Sequence, residues 1–163
     1  MTATGPNRRQ LLKKAGLLGA LAALLSPSAA LAQTTSQTTQ SPEGAWFTTI
    51  TLHNPNTVGP FQGLMTFAPG GGVVDTEQID LANGSTPGIG SWNSSGQNSF
   101  ALKLFRLLVD TKGNLRFTVK ISVTFQLSVD SDAFNGSGTF DGTDPAGKVG
   151  FSGTVKIQGK RIQ

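Results

Sequence analysis

The feature that most constrains this chain is an uninterrupted alternation of apolar and polar side chains over residues 115–129. Successive side chains of a β-strand point to opposite faces, so the alternation predicts one long strand with an apolar face and a wet face. A strand of that length is typical of a barrel wall. The apolar positions are Leu115, Phe117, Val119, Ile121, Val123, Phe125, Leu127 and Val129.

Turn signals divide the rest of the chain into short β-type runs. Pairs such as Asn83-Gly84 and Asn135-Gly136 are typical of hairpins in an antiparallel sheet. The sequence therefore predicts an all-β fold, an eight-stranded antiparallel up-and-down barrel, with a β-sandwich as the structural alternative. The predicted strands are 44–53, 60–68, 72–80, 87–94, 99–109, 115–129, 133–141 and 149–162.

Residues 1–32 have the layout of a secretory signal peptide. A basic segment ends at Lys14, an apolar run covers residues 15–25, and the small-residue site Ala30-Leu31-Ala32 follows. The apolar run is about half of the ~20 residues that a membrane-spanning helix needs. We therefore expect cleavage after Ala32, no membrane anchor after cleavage, and a periplasmic or extracellular protein.

The paired arginines Arg8 and Arg9 bear on the export route. Together with Lys13, Lys14 and the Gly- and Ala-rich apolar run, they favour the twin-arginine route, which exports proteins that are already folded. An ordinary general-secretion signal that happens to carry two arginines is the alternative.

The chain after the signal divides into a linker and one domain. Residues 33–43 begin with a Gln-, Thr- and Ser-rich stretch without apolar side chains, which predicts a disordered linker before a barrel domain at 44–163. Nine basic residues balance nine acidic ones after the signal, so no basic nucleic-acid-binding face is expected. The absence of cysteine excludes disulfides and thiolate chemistry, and the fold must rest on its core alone.

Two features at the ends of the domain carry a family resemblance. Gly44-Ala45-Trp46 opens the first predicted strand, and Arg161 lies at an inward position near the end of the last. This pattern resembles the lipocalin and wider calycin families, which implies that Trp46 plugs one barrel end and that Arg161 stacks across it in a cation–π contact. The strand count is also similar to that of the allene oxide cyclase and dirigent barrels, a resemblance that implies a cofactor-free cyclase or isomerase.

Arg106 is the most informative charged residue. Strand alternation places it on one face with Leu102, Leu104 and Leu108. If that face is inward, the guanidinium needs a partner, because an unpaired buried charge is costly. The candidate partners are Asp75 and Glu77 of the third strand, or a carboxylate or enolate of a ligand. The candidate ligand-binding residues are Arg106, Leu104, Phe117, Ile121 and Phe125, and Trp46 and Arg161 are assigned to barrel closure.

Several kinds of chemistry are missing from the sequence. His53 is the only histidine, so no metal site is expected from a histidine cluster, and no cofactor is predicted. There is no Gly-x-Ser-x-Gly nucleophile turn, and Gly70-Gly71-Gly72 lacks the Lys-Ser/Thr of a phosphate loop. Few acid–base groups lie at inward positions, which favours a protein that binds a small hydrophobic molecule in its barrel. A cyclase or isomerase in which Arg106 stabilises developing negative charge is the first alternative. A structural protein with a filled core is the second.

Overall fold

Eight antiparallel strands close into an up-and-down barrel in which each strand pairs with the next and the last pairs with the first. A computed structural model describes residues 40–54 and 56–163. The closed barrel confirms the predicted fold and excludes the sandwich. The predicted signal peptide and residues 33–39 of the predicted linker lie outside the described residues. The strands are β1 (Gly44–Asn54), β2 (Asn56–Phe67), β3 (Gly72–Glu77), β4 (Gly88–Gly96), β5 (Ser99–Val109), β6 (Leu115–Leu127), β7 (Ala133–Thr143) and β8 (Val149–Arg161).

Several strand boundaries differ from the sequence prediction, most of them by one or two residues, and the differences at β2, β3 and β6 bear most on the fold. β2 begins at Asn56, four residues earlier than expected, and continues the β1 hairpin. β3 ends at Glu77, and a short helical turn, α1 (Asp80–Asn83), follows where the strand was expected to continue. β6 ends at Leu127, because the Ser128 N–H donates to the Ala133 carbonyl and starts a turn, which leaves Val129 93 % exposed. No helix among the described residues is long and apolar enough to cross a membrane.

One end of the barrel is filled by rings, which we call the aromatic cluster. Trp46 is fully buried there, and its ring centroid lies 5.0 Å from that of Phe134. Arg161 Cζ lies 4.3 Å from the Trp46 ring centroid, so the predicted contact between these two residues is present. The aromatic cluster consists of Trp46, Phe67, Trp92, Phe100, Phe125 and Phe134.

Arg161 also ties the segment before β1 to this end. Its guanidinium donates to the carbonyls of Ser41, Glu43 and Ser131. The Trp46 indole N–H donates to the Pro42 carbonyl over 2.7 Å, and Pro42 is buried. Residues 41–43, which the sequence analysis assigned to the disordered linker, therefore pack on the barrel, because their carbonyls satisfy buried donors.

Glycines opposite phenylalanines make room for rings inside the barrel. Gly136 pairs with Phe125 across β6 and β7, and Gly159 pairs with Phe134 across β7 and β8. A Cβ atom at either glycine would overlap the phenylalanine side chain opposite it. At Gly159 the overlapped atoms belong to the ring, so the Phe134 ring can lie over β8 and fill this end of the interior.

Candidate binding cavity

A cavity of about 140 Å³ occupies the interior beyond the aromatic cluster. Its lining runs from Met65 and Leu102 near the middle of the barrel to Leu52 and Phe151 toward the other end. An apolar cavity of about 150 Å³ is large enough to hold benzene. The other apolar lining residues are Ile50, Ile79, Leu104, Leu108, Val119, Ile121, Val123, Phe140, Val155 and Ile157.

One side of the cavity is polar and carries four charged groups, which we call the Arg106 cluster: Asp75, Glu77, Asp80 and Arg106. Arg106 Nη2 lies 2.5 Å from Asp75 Oδ2 and 2.7 Å from Glu77 Oε1. Arg106 Nη1 lies 2.7 Å from Glu77 Oε2 and 2.8 Å from Asp80 Oδ1. Asp75 and Glu77, the two candidate partners that the sequence offered beside a ligand anion, therefore both pair with Arg106.

The strand pattern explains how these groups meet. Alternation places Asp75 and Glu77 on the inner face of β3, whereas Arg106 comes from the inner face of β5. β4 lies between them, and Gly88 of β4 stands directly opposite Asp75. A Cβ atom at Gly88 would collide with Asp75 Oδ1 and lie 3.4 Å from Arg106 Nε. The missing side chain thus lets Arg106 reach across β4 to the carboxylates of β3.

Asp80 is a member of the cluster that sequence reasoning missed. In a strand running to residue 80, it would have pointed away from Asp75 and Glu77. Because β3 ends at Glu77, the chain turns back, and Asp80 Oδ2 accepts the Glu77 backbone N–H over 2.7 Å. Its other oxygen, Oδ1, is then free to accept from Arg106.

Burial has the largest effect on the pKa values of Asp75 and Glu77. It raises the pKa of Asp75 above its ordinary value, although Arg106 pulls in the opposite direction. Burial likewise raises the pKa of Glu77 to about 7, and the charge of Asp75 adds to the increase. Burial alone would lower the pKa of Arg106, but its three carboxylate neighbours raise it, so the guanidinium stays charged. The cluster therefore holds one permanent cation and one carboxyl group, that of Glu77, whose pKa lies near neutral pH.

The predicted ligand-binding residues do not all lie at the cavity. Leu104, Arg106 and Ile121 line it. Phe125 does not line the cavity, because it belongs to the aromatic cluster that fills one end of the barrel. Phe117 packs edge-on against the lining residue Phe151, with centroids 5.1 Å apart, and lies outside the lining. Alternation specifies the face of a strand but not the depth along the barrel axis, so it does not distinguish inward residues that line the cavity from those that do not.

Arg106 occupies the space between the three carboxylates. Among the described residues, no group of three or more His, Cys, Asp or Glu side chains has a geometry that can hold a metal. No protein-family model, curated protein or solved structure matches this chain. The cavity and the groups that line it are therefore the features that indicate a function.

Proposed function

We propose that this chain is an exported, lipocalin-like barrel protein that binds a small, mostly apolar molecule in its cavity. The observation that carries the proposal is the cavity itself, which is lined chiefly by apolar side chains and has one polar side. The aromatic cluster supports the proposal, because it fills one end of the barrel and leaves the other half of the interior less tightly packed.

The size of the cavity sets the scale of affinity to expect. A single aromatic ring buries roughly 150 Å² of surface, which at about 25 cal/mol per Å² is worth about 4 kcal/mol. That free energy corresponds to a Kd of about 1 mM. A natural ligand that binds more tightly needs polar contacts in addition to the ring.

The positions of the Arg106 donors favour binding over the cyclase or isomerase alternative. That alternative requires Arg106 to stabilise negative charge as it develops on a substrate. Both terminal nitrogens of Arg106 instead contact carboxylates of the protein, so these nitrogens already have hydrogen-bond partners. A substrate anion would also face the negative charges of Asp75, Glu77 and Asp80.

Calorimetric titration with benzyl alcohol, a neutral one-ring probe, tests the proposal. We expect saturable binding near millimolar concentration in the wild type. Leu104→Phe places extra atoms in the cavity and should weaken binding roughly tenfold. Leu107→Phe makes the same change at a neighbouring, exposed position on β5 and should leave binding unchanged. No saturable binding, or equal loss in both variants, would contradict the proposal.

The export part of the proposal rests on the sequence of residues 1–32. Sequencing the N-terminus of the exported protein should find Gln33 first. Export should stop in the double variant Arg8→Lys, Arg9→Lys if the twin-arginine route is used. Normal export of that variant would point to general secretion instead.

A further inference from the structure

We infer that the polar end of the ligand is a positively charged amine, held by the carboxylates of Asp75 and Glu77. This inference rests on the proposed function and specifies the chemistry of its ligand. It differs from the expectation drawn from the sequence, in which Arg106 met a ligand carboxylate.

The balance of charge in the Arg106 cluster is the first argument. Three carboxylates surround one guanidinium, so the fully ionised cluster has two negative charges that no protein cation compensates. The neighbouring strands do not change this balance, since β2 and β4 contain no ionisable residue and the cations Lys103 of β5 and Arg116 and Lys120 of β6 lie at exposed positions. A buried excess of one sign is costly and favours an occupant of the opposite sign.

An unpartnered atom is the second argument. Asp75 is 3 % exposed and lines the cavity, yet its Oδ1 has no hydrogen-bond partner within the described part of the chain. Buried carboxylate oxygens are rarely left without a donor. An ammonium group has three donors, so one N–H can reach Asp75 Oδ1 while others reach Glu77.

Arg106 itself offers little to an anionic ligand. Its terminal nitrogens already donate to Asp75, Glu77 and Asp80, and only Nε lacks a partner. A carboxylate that approached Nε would meet three carboxylates of the protein. A neutral hydroxyl can accept from Nε and donate to Asp75 Oδ1, and it is the competing occupant that the test must separate from an amine.

The titration of the cluster makes the inference pH-dependent. Burial raises the pKa of Glu77 to about 7, so below that pH Glu77 holds a proton. A cation that binds the ionised carboxylates must displace this proton, and its affinity therefore rises as the pH increases through 7. The charged groups that face Glu77 are Asp75 of β3, Asp80 of α1 and Arg106 of β5.

Three probes that share one ring test the charge preference: benzylamine, benzyl alcohol and benzoate, titrated by calorimetry at pH 6 and pH 8. At pH 8 we expect benzylamine to bind roughly tenfold or more tightly than benzyl alcohol, because its hydrogen bonds are charge-assisted. Benzoate should not bind measurably. Benzylamine should bind more weakly at pH 6 and release a proton on binding, whereas benzyl alcohol should show neither effect.

Substitutions that nearly preserve the shape of the side chain test whether the preference for benzylamine comes from the Arg106 cluster. Asp75→Asn should remove most of the preference for benzylamine. Its affinity for benzyl alcohol should stay unchanged, which would show that the cavity is intact. Glu77→Gln should remove the pH dependence. Asp141→Asn makes the same chemical change on an exposed residue outside the cavity and should behave like the wild type.

Different outcomes would contradict the inference that the ligand is an amine and the proposal that the cavity binds a small molecule. Benzyl alcohol or benzoate binding as tightly as benzylamine would overturn the inference and leave the proposed function standing. Undiminished preference for benzylamine in Asp75→Asn and Glu77→Gln would also overturn it. Failure of all three probes to bind would overturn the proposed function as well.

Discussion

Glu77 and Arg106 meet fork to fork: Nη1 contacts Oε2 and Nη2 contacts Oε1, each over 2.7 Å. This bidentate geometry holds both side chains in fixed positions beside an apolar cavity. Asp75 and Asp80 take the remaining donors of the terminal nitrogens. Arg106 is therefore the residue that keeps three buried carboxylates together.

Removing the charge of Arg106 should destabilise the fold. Arg106→Met leaves Asp75, Glu77 and Asp80 buried without their cation, and breaking such a cluster costs about 3–5 kcal/mol. The loss should be largest near pH 8 and shrink toward pH 5, because Glu77, whose pKa is about 7, takes up a proton in this range. Urea denaturation at both pH values measures it. Lys120→Met removes an exposed cation 3.8 Å from Asp141 and should change stability by less than about 0.5 kcal/mol.

The wild-type protein should lose stability as the pH rises from about 5 to about 7.5. The pKa of Glu77 is raised from 4.5 to about 7 in the folded state, so the folded state binds a proton that the unfolded state releases. The free energy of unfolding should fall by about 2 kcal/mol across this range. Glu77→Gln should flatten the dependence, whereas Glu43→Gln, at an exposed position, should not. Stability that rises with pH in this window would show that Glu77 is ionised throughout.

Alternation and turn chemistry were enough to predict the barrel and its strand count, whereas the contact of Trp46 with Arg161 was implied by the resemblance to the lipocalin family. They could not predict Asp80 or Gly88 in the cluster. Asp80 faces inward only because the chain turns after Glu77, and Gly88 matters only because Arg106 crosses over it. Both depend on how strands pack against one another, which no local pattern records. For the same reason, the pattern could not show that Phe125 packs in the aromatic cluster and does not line the cavity.

A side chain on Gly88 should break the cluster. Its Cβ would collide with Asp75 Oδ1, so Gly88→Ala must displace the carboxylate or the strand. Overpacking of this kind typically costs about 1–3 kcal/mol. Gly72→Ala is the matched control, because a Cβ there would make an ordinary 3.7 Å contact with the Ala68 Cβ. Equal thermal stability of the two variants would show that the Arg106 cluster does not require the absence of a side chain at Gly88.

The closed end should depend on Trp46. Trp46→Ala empties the centre of the aromatic cluster and removes the stacking surface of Arg161, at a cost of about 3–5 kcal/mol. Phe47→Ala is the matched control, since the adjacent aromatic residue is about half exposed on the outer face. Chemical denaturation of the two variants measures the difference. Similar losses would mean that Trp46 does not close the barrel.

Methyl NMR locates a bound ligand most directly. In a titration with benzyl alcohol, the methyl signals of Leu104 and Ile121, which line the cavity, should shift and saturate together. The methyl signals of Leu107 and Ile89, the same residue types on the outer face, should stay in place. The absence of saturable shifts at Leu104 and Ile121, or larger shifts at Leu107 and Ile89, would contradict ligand binding inside the barrel.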